Sequence, residues 1–322
     1  MIRHLPQMVV WQQLGPQRLG RRPETMSRIT DQADHVLAYD QVMVTKLVAV
    51  YAAALSMIQR ARPEGVAGNA IDLACGPGHF SLCLSSCLGC ANGTGVDLSR
   101  RMVEVARANA STAATAFSFQ EGDIVNLNEI AADQYDLASC LNAMHHLDDL
   151  DQVRRVFLEM NRVTRPDGLI VVLDLVRLRT ASLTERYVQL LGADYRKRGL
   201  ESFYNDFHSS MFAAFTADEL QSAIPHDTGR WWCQLVPRGL PTAQIVLGLP
   251  EGRRRLFLRK GWAMEQHPLV RQWSSRWQEA VGERWARETR WDCRLVELGL
   301  ASGRRQWVAP LSSAGNKRRL GS

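Results

Sequence analysis

The segment Asn69-Ala-Ile-Asp-Leu-Ala-Cys-Gly-Pro-Gly-His-Phe80, followed closely by Gly93-Thr-Gly-Val-Asp97, constrains the fold of this chain more than any other. Ala70, Ile71, Leu73 and Ala74 make the short apolar run of a buried parallel strand. Gly76-Pro77-Gly78 ends it: the glycines reach backbone angles closed to other residues, and Pro77 stiffens the turn between them. Phe80, Leu82, Leu84, Cys87 and Leu88 then recur at the spacing of a helix laid on a sheet. Val96 closes a second strand, with Asp97 at its carboxyl end, the edge at which open α/β sheets bind ligands. A dinucleotide loop would add a third glycine and seat pyrophosphate on the helix N-terminus. Bulky Phe80 and acidic Asp72 fit pyrophosphate poorly, and an acid at Asp72 suits a ligand carrying an ammonium or sulfonium instead.

The rest of the core alternates as an α/β unit should. Strands are predicted near 70–75, 93–97, 117–120, 135–141 and 169–175. Helices are predicted near 79–90, 100–110 (capped by Ser99) and 149–162. An apolar stripe through Val42, Val44, Leu47, Val48, Tyr51 and Leu55 predicts a helix over Asp40 to Gln59 against the sheet edge. Thr216-x-x-Glu219 is a capping box that starts a helix at Ala217. Trp232 to Val236 and Ala243 to Leu247 supply a terminal antiparallel pair. Residues 177–215 form a long insertion rich in aromatic side chains, among them Tyr187, Tyr195, Phe203, Tyr204, Phe207 and Phe212. Above the binding edge such an insertion is a substrate lid, a helical cap with its own small core, or both.

Once the acid, the glycines and the second acid are combined, residues 70 to 98 resemble the cofactor-binding half of class I S-adenosylmethionine-dependent methyltransferases of the small-molecule type. Tyr135 to Asn142 is similar to that family's fourth strand, Ala143 to Asp149 to its following loop, and Arg165-Pro-Asp-Gly168 to the turn before strand five. The likeness runs over roughly residues 30 to 248. Ala74 departs from it where a third glycine is common. The resemblance implies a Rossmann-like α/β sheet with helices on both faces, a helical lid insertion and S-adenosylmethionine as cofactor. It implies that Ala74, Gly76, Pro77 and Gly78 form the cofactor turn, with backbone amides of Gly76 to Gly78 and the following helix holding the methionine carboxylate. It places Asp72 at the amino group, Asp97 and Leu98 at the ribose side, Asp123 at the adenine amine and Ile124 against its ring. Asn142 and Ala143 lie where the fourth strand opens toward the methyl. Asp123 also reads simply as a turn residue.

His145 and His146 are the candidate bases, since histidine titrates near neutrality and both sit beside the fourth-strand edge. Tyr39, His146, Tyr204 and His208 are candidate substrate residues. Asn142-Ala-Met-His145 stands where methyltransferases of exocyclic base amines carry an Asn/Asp-Pro-Pro-aromatic tetrapeptide, so the acceptor expected is a small organic molecule, such as a natural-product intermediate. Methylation of a protein or peptide is the alternative, and a non-catalytic cofactor-binding regulatory or structural protein is the rival from another class.

Cys83-x3-Cys87-x2-Cys90 has the spacing of radical S-adenosylmethionine enzymes, in which three thiolates hold an iron–sulfur cluster. Here the cysteines fall inside the helix after the glycine turn, where buried cysteine is a common small hydrophobe, so no metal is expected. The net charge of +6 is uneven: residues 251–322 hold 16 Lys and Arg against 7 Asp and Glu, leaving 23 against 26 before them. That distribution places no basic footprint at the site and argues against a nucleic-acid partner. With no apolar run of membrane-spanning length and no signal segment, a cytoplasmic protein is expected. Three regions follow. Residues 1–25 lack periodicity and are expected to be disordered, with Met26 an alternative start; residues 26–248 form the methyltransferase domain, including the lid at 177–215. Residues 249–322 form a basic extension with six of the nine tryptophans. Trp273, Trp277, Val281 and Trp285 recur every four residues there, as on a helix docked on the domain or on the second copy of a homodimer. Disorder, RNA contact and membrane-surface contact are the other readings of this extension.

Overall fold

Strand β1, Asn69–Leu73, is buried on both faces because it lies at the middle of the sheet, paired in parallel with β2, Asn92–Asp97, and β4, Tyr135–Leu141. The computed structural model describes residues 5–24, 36, 39–40, 48–113, 115–197, 199–236, 242–254, 294–297 and 306–307. Beyond β2 lies β3, Phe117–Glu121; beyond β4 lies β5, Thr164–Leu175. Strands β6, Arg230–Val236, and β7, Ala243–Pro250, form the expected antiparallel pair, with β7 inserted between β5 and β6. Short strands β8, Arg294–Glu297, and β9, Gln306–Trp307, complete the order β3-β2-β1-β4-β5-β7-β6-β8-β9.

Period-two alternation sends side chains to separate cores. Ala70, Leu137, Leu169 and Val171 face Leu55 of α2, Val48–Ala61, Phe80 and Leu84 of α3, His79–Leu88, and Val103 of α4, Arg100–Ala113. Ile71, Leu73, Cys140 and Val172 face Val153, Phe157 and Met160 of α5, Leu150–Val163, and Leu220 of α8, Ala217–Ala223. Gly93 and Gly95 in β2 make room for aromatic rings: a Cβ on Gly93 would stand 2.2 Å from Phe117, and one on Gly95 2.4 Å from Phe119. The expected stripe positions Val42, Val44 and Leu47 lie outside the described residues, whereas Tyr51 and Leu55 are buried as the spacing predicts.

The expected turn at Arg165 to Gly168 is taken up inside β5 as a register irregularity, Tyr135 pairing with Thr164 and Leu137 with Leu169. Arg230 closes it from β6, donating to the carbonyls of Thr164, Arg165 and Gly168 at 2.7 to 3.1 Å. The insertion is helical: α6, Ala181–Lys197, packs on α7, Glu201–Ala213, around Leu183, Val188, Tyr195, Phe203, Tyr204 and Met211. Thr216 and Glu219 form the full capping box of α8.

Residues 5–24, within the segment expected to be disordered, are described as a helix and an extended stretch. Leu5–Leu14 form helix α1, whose Met8 enters the α6–α7 core, and residues 15–24 run as a strap along the domain. The strap carries no apolar period because its attachments are polar: Arg18 and Leu19 amides donate to Arg179, and the Arg22 amide donates to Phe212. The tryptophan repeat at 273–285 lies outside the described residues. Among the described residues, no helix is long and apolar enough to cross a membrane.

Candidate active site

The carboxyl ends of β1, β2 and β4 converge on the glycine turn. Gly76 and Gly78 have φ of 53° and 80°, and Ala74 shares the left-handed region at 53°. Gly78 has no room for a side chain, since a Cβ would stand 2.9 Å from the Phe119 ring. Asp97 ties the turn to β2: its Oδ2 accepts from the Gly76 amide at 2.8 Å and its Oδ1 from the Ser99 amide at 2.9 Å. The Gly78 amide donates to the Cys75 carbonyl. The resemblance assigns a ligand carboxylate to the Gly76 to Gly78 amides together with the helix N-terminus that follows. Two of them are hydrogen-bonded within the protein and Pro77 has none.

Asp72 is buried, with Oδ2 accepting from Ser81 and Oδ1 from Ser139, both at 2.7 Å. Burial pushes its carboxyl up to about 6, and the hydroxyl hydrogen bonds only partly oppose that. Both partners are neutral, so a ligand ammonium would supply the counter-charge this carboxylate needs. Gly122 donates to the Asp97 carbonyl at 2.9 Å, bringing the turn after β3 against the turn after β2. There Asp123 is exposed and receives the Val125 amide at 2.9 Å, while Ile124 is buried and Leu98 is 42% exposed. Tyr39 stands over the glycine turn, its Cε1 4.0 Å from the point where a Gly76 Cβ would lie. Asp40 beside it accepts from His79 at 2.7 Å and Asn109 at 3.1 Å, latching this segment to α3 and α4.

Asn142 leaves β4 with φ of 54°, its amide bonded to Leu173, and Ala143 is buried behind it. A single helical turn, Met144–His146, follows. The imidazoles of His145 and His146 lie 4.1 Å apart, but their settings differ. His145 is buried with Nδ1 2.5 Å from Asp174 at the end of β5. Burial disfavours its charge, yet the Asp174 carboxylate prevails and holds its titration above the ordinary histidine value. His146 remains 35% exposed, with Nδ1 2.6 Å from Glu24 Oε2. Glu24 also accepts from Ser210 at 3.0 Å. Burial raises its carboxyl, but hydrogen bonds from His146 and Ser210 and the charges of both histidines bring it below the usual range.

Three residues before Glu24, Arg21 clamps the histidine turn. It donates to the carbonyls of Ala213 at 2.6 Å, Asp148 at 2.5 Å, His145 at 3.0 Å and Leu147. Its guanidinium also lies 4.0 Å over the Phe215 ring. Two candidate substrate residues sit in the packing of the insertion helices. Tyr204 is buried in the α6–α7 core beneath Arg196, and His208 pairs with Glu185 at 2.9 Å. Sequence reasoning missed Arg21, Glu24 and Asp174. Only Asp174 left a signal, an acid inside the apolar run of β5 at its carboxyl end.

Cys83 and Cys87 pack on the α2–α3–α4 core, and Cys90 is buried just beyond α3. Burial pushes the Cys90 thiol up to about 12, and the Cys87 hydrogen bond together with burial raises that of Cys83. Thiolates, the ligand form, are therefore disfavoured at Cys83 and Cys90.

Residues 70–168 match the family model of the methyltransferase domain. Among solved structures, the chain is similar to YcgJ of Bacillus subtilis, at 20% identity and a TM-score of 0.42 over 61% of this chain and 99% of that one. An S-adenosylmethionine-dependent methyltransferase of Clostridium acetobutylicum is 22% identical, with a TM-score of 0.38 over 43% and 56% of the two chains. One from Aquifex aeolicus is 12% identical, with a TM-score of 0.42 over 61% and 92%. The sheet order, the turn between two buried acids and the family match define a class I S-adenosylmethionine-dependent methyltransferase domain. Residues 70–168 form a methyltransferase domain, and S-adenosylmethionine is its methyl donor.

Proposed function

We propose that the protein methylates a small organic acceptor bearing a protic nucleophile, with His146 receiving the acceptor's proton. The observation that carries this reading is the His146 ring. It is partly exposed beside the carboxyl edge of β4, and one nitrogen is anchored by Glu24 at 2.6 Å. When bound, S-adenosylmethionine supplies an electrophilic methyl for a one-step in-line displacement. The protein's part is to orient the reactants, exclude water and take a proton. In this reading Asp97 holds the ribose hydroxyls, Leu98 and Ile124 flank the adenine, and Asp123 meets its amine. Asp72 holds the amino group and the first turn of α3 the carboxylate. Asn142 and Ala143 line the methyl end. His145, buried against Asp174, backs His146 rather than meeting the acceptor, and the α6–α7 insertion with Tyr39 covers the acceptor.

The test is transfer of tritiated methyl from S-adenosylmethionine to a panel of phenols, carboxylic acids, thiols and amines of aromatic compounds, with peptides carrying the same groups in parallel. Transfer to a small acceptor, reduced about a hundredfold or more by His146→Gln, is expected. Transfer to peptides alone would replace the small-molecule reading, and a His146→Gln enzyme as fast as wild type would remove the base.

A further inference from the structure

Resting on the assignment of His146 as the base, we propose that Glu24, carried on the N-terminal strap, is its positioning residue. Glu24 accepts the Nδ1 proton, fixing the tautomer in which Nε2 is the ring atom free to take a proton. A neutral imidazole has one donor and one acceptor nitrogen, and the hydrogen bond made by one decides the role of the other. Glu24 Oε2 lies 2.6 Å from Nδ1, and a carboxylate can only accept there. Its other oxygen is held by Ser210 Oγ of α7 at 3.0 Å, so the carboxylate is fixed from two sides and its side chain is only 12% exposed. The same strap holds the backbone beneath the ring, because Arg21 donates to the carbonyls of His145, Leu147 and Asp148. Ring and backbone of the base are thus both held by residues remote in sequence.

Two neighbouring histidine–carboxylate pairs have partners of their own. Asp174 of β5 faces His145, and His208 of α7 faces Glu185. When Nε2 takes the acceptor's proton, the acceptor's electron pair forms the new bond to the methyl carbon. The carbon–sulfur pair returns to sulfur, and the imidazolium finds its counter-charge in Glu24.

The tautomer can be read without knowing the acceptor. The full chain, labelled with nitrogen-15 histidine and saturated with S-adenosylhomocysteine, is examined by long-range proton–nitrogen correlation at a pH where the His146 ring is neutral. The resonance is assigned by its loss in His146→Gln. A protonated Nδ1 and bare Nε2 are expected in the wild type, shifting to a protonated Nε2 in Glu24→Ala. A protonated Nε2 in the wild type, or an unchanged tautomer in Glu24→Ala, would overturn the proposal. Glu24→Gln keeps an acceptor oxygen and a similar shape, so it should keep the tautomer. It should lower kcat about tenfold or more, with little change in KM, because the counter-charge is gone. An unchanged kcat there would also overturn the counter-charge role. If His146→Gln transfers methyl at the wild-type rate, the base assignment fails. A large His146→Gln defect combined with the wrong wild-type tautomer overturns Glu24 alone.

Discussion

Asp72 is a buried carboxyl set against stability at neutral pH, a cost that the proposed ligand ammonium would offset. Its carboxyl titrates near 3.8 unperturbed and at about 6 in the fold, so between those values the folded state binds the proton more tightly than the unfolded chain. The stabilisation this gives is complete below 3.8, falls as pH rises and is gone above about 6. Asp72→Asn removes the buried charge while Ser81 and Ser139 can rotate to pair with an amide. At neutral pH the ligand-free variant should therefore be more stable than wild type, by up to about 3 kcal/mol. Urea unfolding from pH 4 to 7 would show the gap opening across that window, and calorimetry should show weaker S-adenosylmethionine binding. A variant no more stable at pH 7 than wild type would contradict this account. Ala74 carries a separate backbone cost, since a left-handed φ of 53° is unfavourable by roughly 1 to 2 kcal/mol for a residue with a Cβ. Ala74→Gly should leave stability unchanged or raised by up to about 1 kcal/mol, the relief being partly offset by unfolded-chain entropy. Ala70→Gly, in a fully buried strand, should lower it by about 1 kcal/mol or more, and a denaturant midpoint for each variant checks the contrast.

Among the elements, the strap from 15 to 24 departs most from what its local sequence suggests. Gly-Pro and Gly-Arg-Arg-Pro breaks with no apolar period read as a chain that has nothing to bury. Its order comes from arginines, which bring several donors in a fixed geometry to carbonyls that the ends of helices and turns leave unmatched. Arg21 serves the end of α7 and the histidine turn together, while Arg177, buried on the way to α6, donates to Leu19, Ala214 and Glu219. Arg21→Ala should cost about 2 kcal/mol, since several partly buried carbonyls lose their donor. Amide exchange should rise across 143–148 and 211–215. Protection there equal to wild type would show that the strap merely rests on the domain. The insertion helices behave otherwise: their aromatic side chains face one another, and Tyr204 is buried in the small core they share.

At the scale of the whole molecule, the site is a meeting of strand ends and should be stabilised as a unit by its ligand. S-adenosylhomocysteine at about a hundred times its Kd should add roughly 2.7 kcal/mol to unfolding, seen as a concentration-dependent rise in Tm. Asp97→Asn, which keeps the shape but loses the charge that accepts from Gly76 and Ser99, should weaken that ligand about tenfold or more, and calorimetry checks it. Unchanged affinity would remove Asp97 from the ribose role. Strands β1 to β7, helices α3, α4, α5 and α8, and the glycine turn were legible in the chain. Each is written in local terms: apolar runs of strand length, helical spacing, a capping box, glycines where φ is positive. Asp72 and Asp97 were legible too, because acids at the ends of apolar strands are conspicuous. What the chain determined by itself is therefore the α/β core and the glycine turn at its carboxyl edge, since propensity, burial pattern and turn chemistry act over neighbouring residues. Only the tertiary structure decided that the Gly76 amide meets Asp97, that His145 turns inward to Asp174, and that Glu24 reaches His146. Those pairings span 21, 29 and 122 residues, and hydrogen bonds between such distant groups leave no period in the sequence to read.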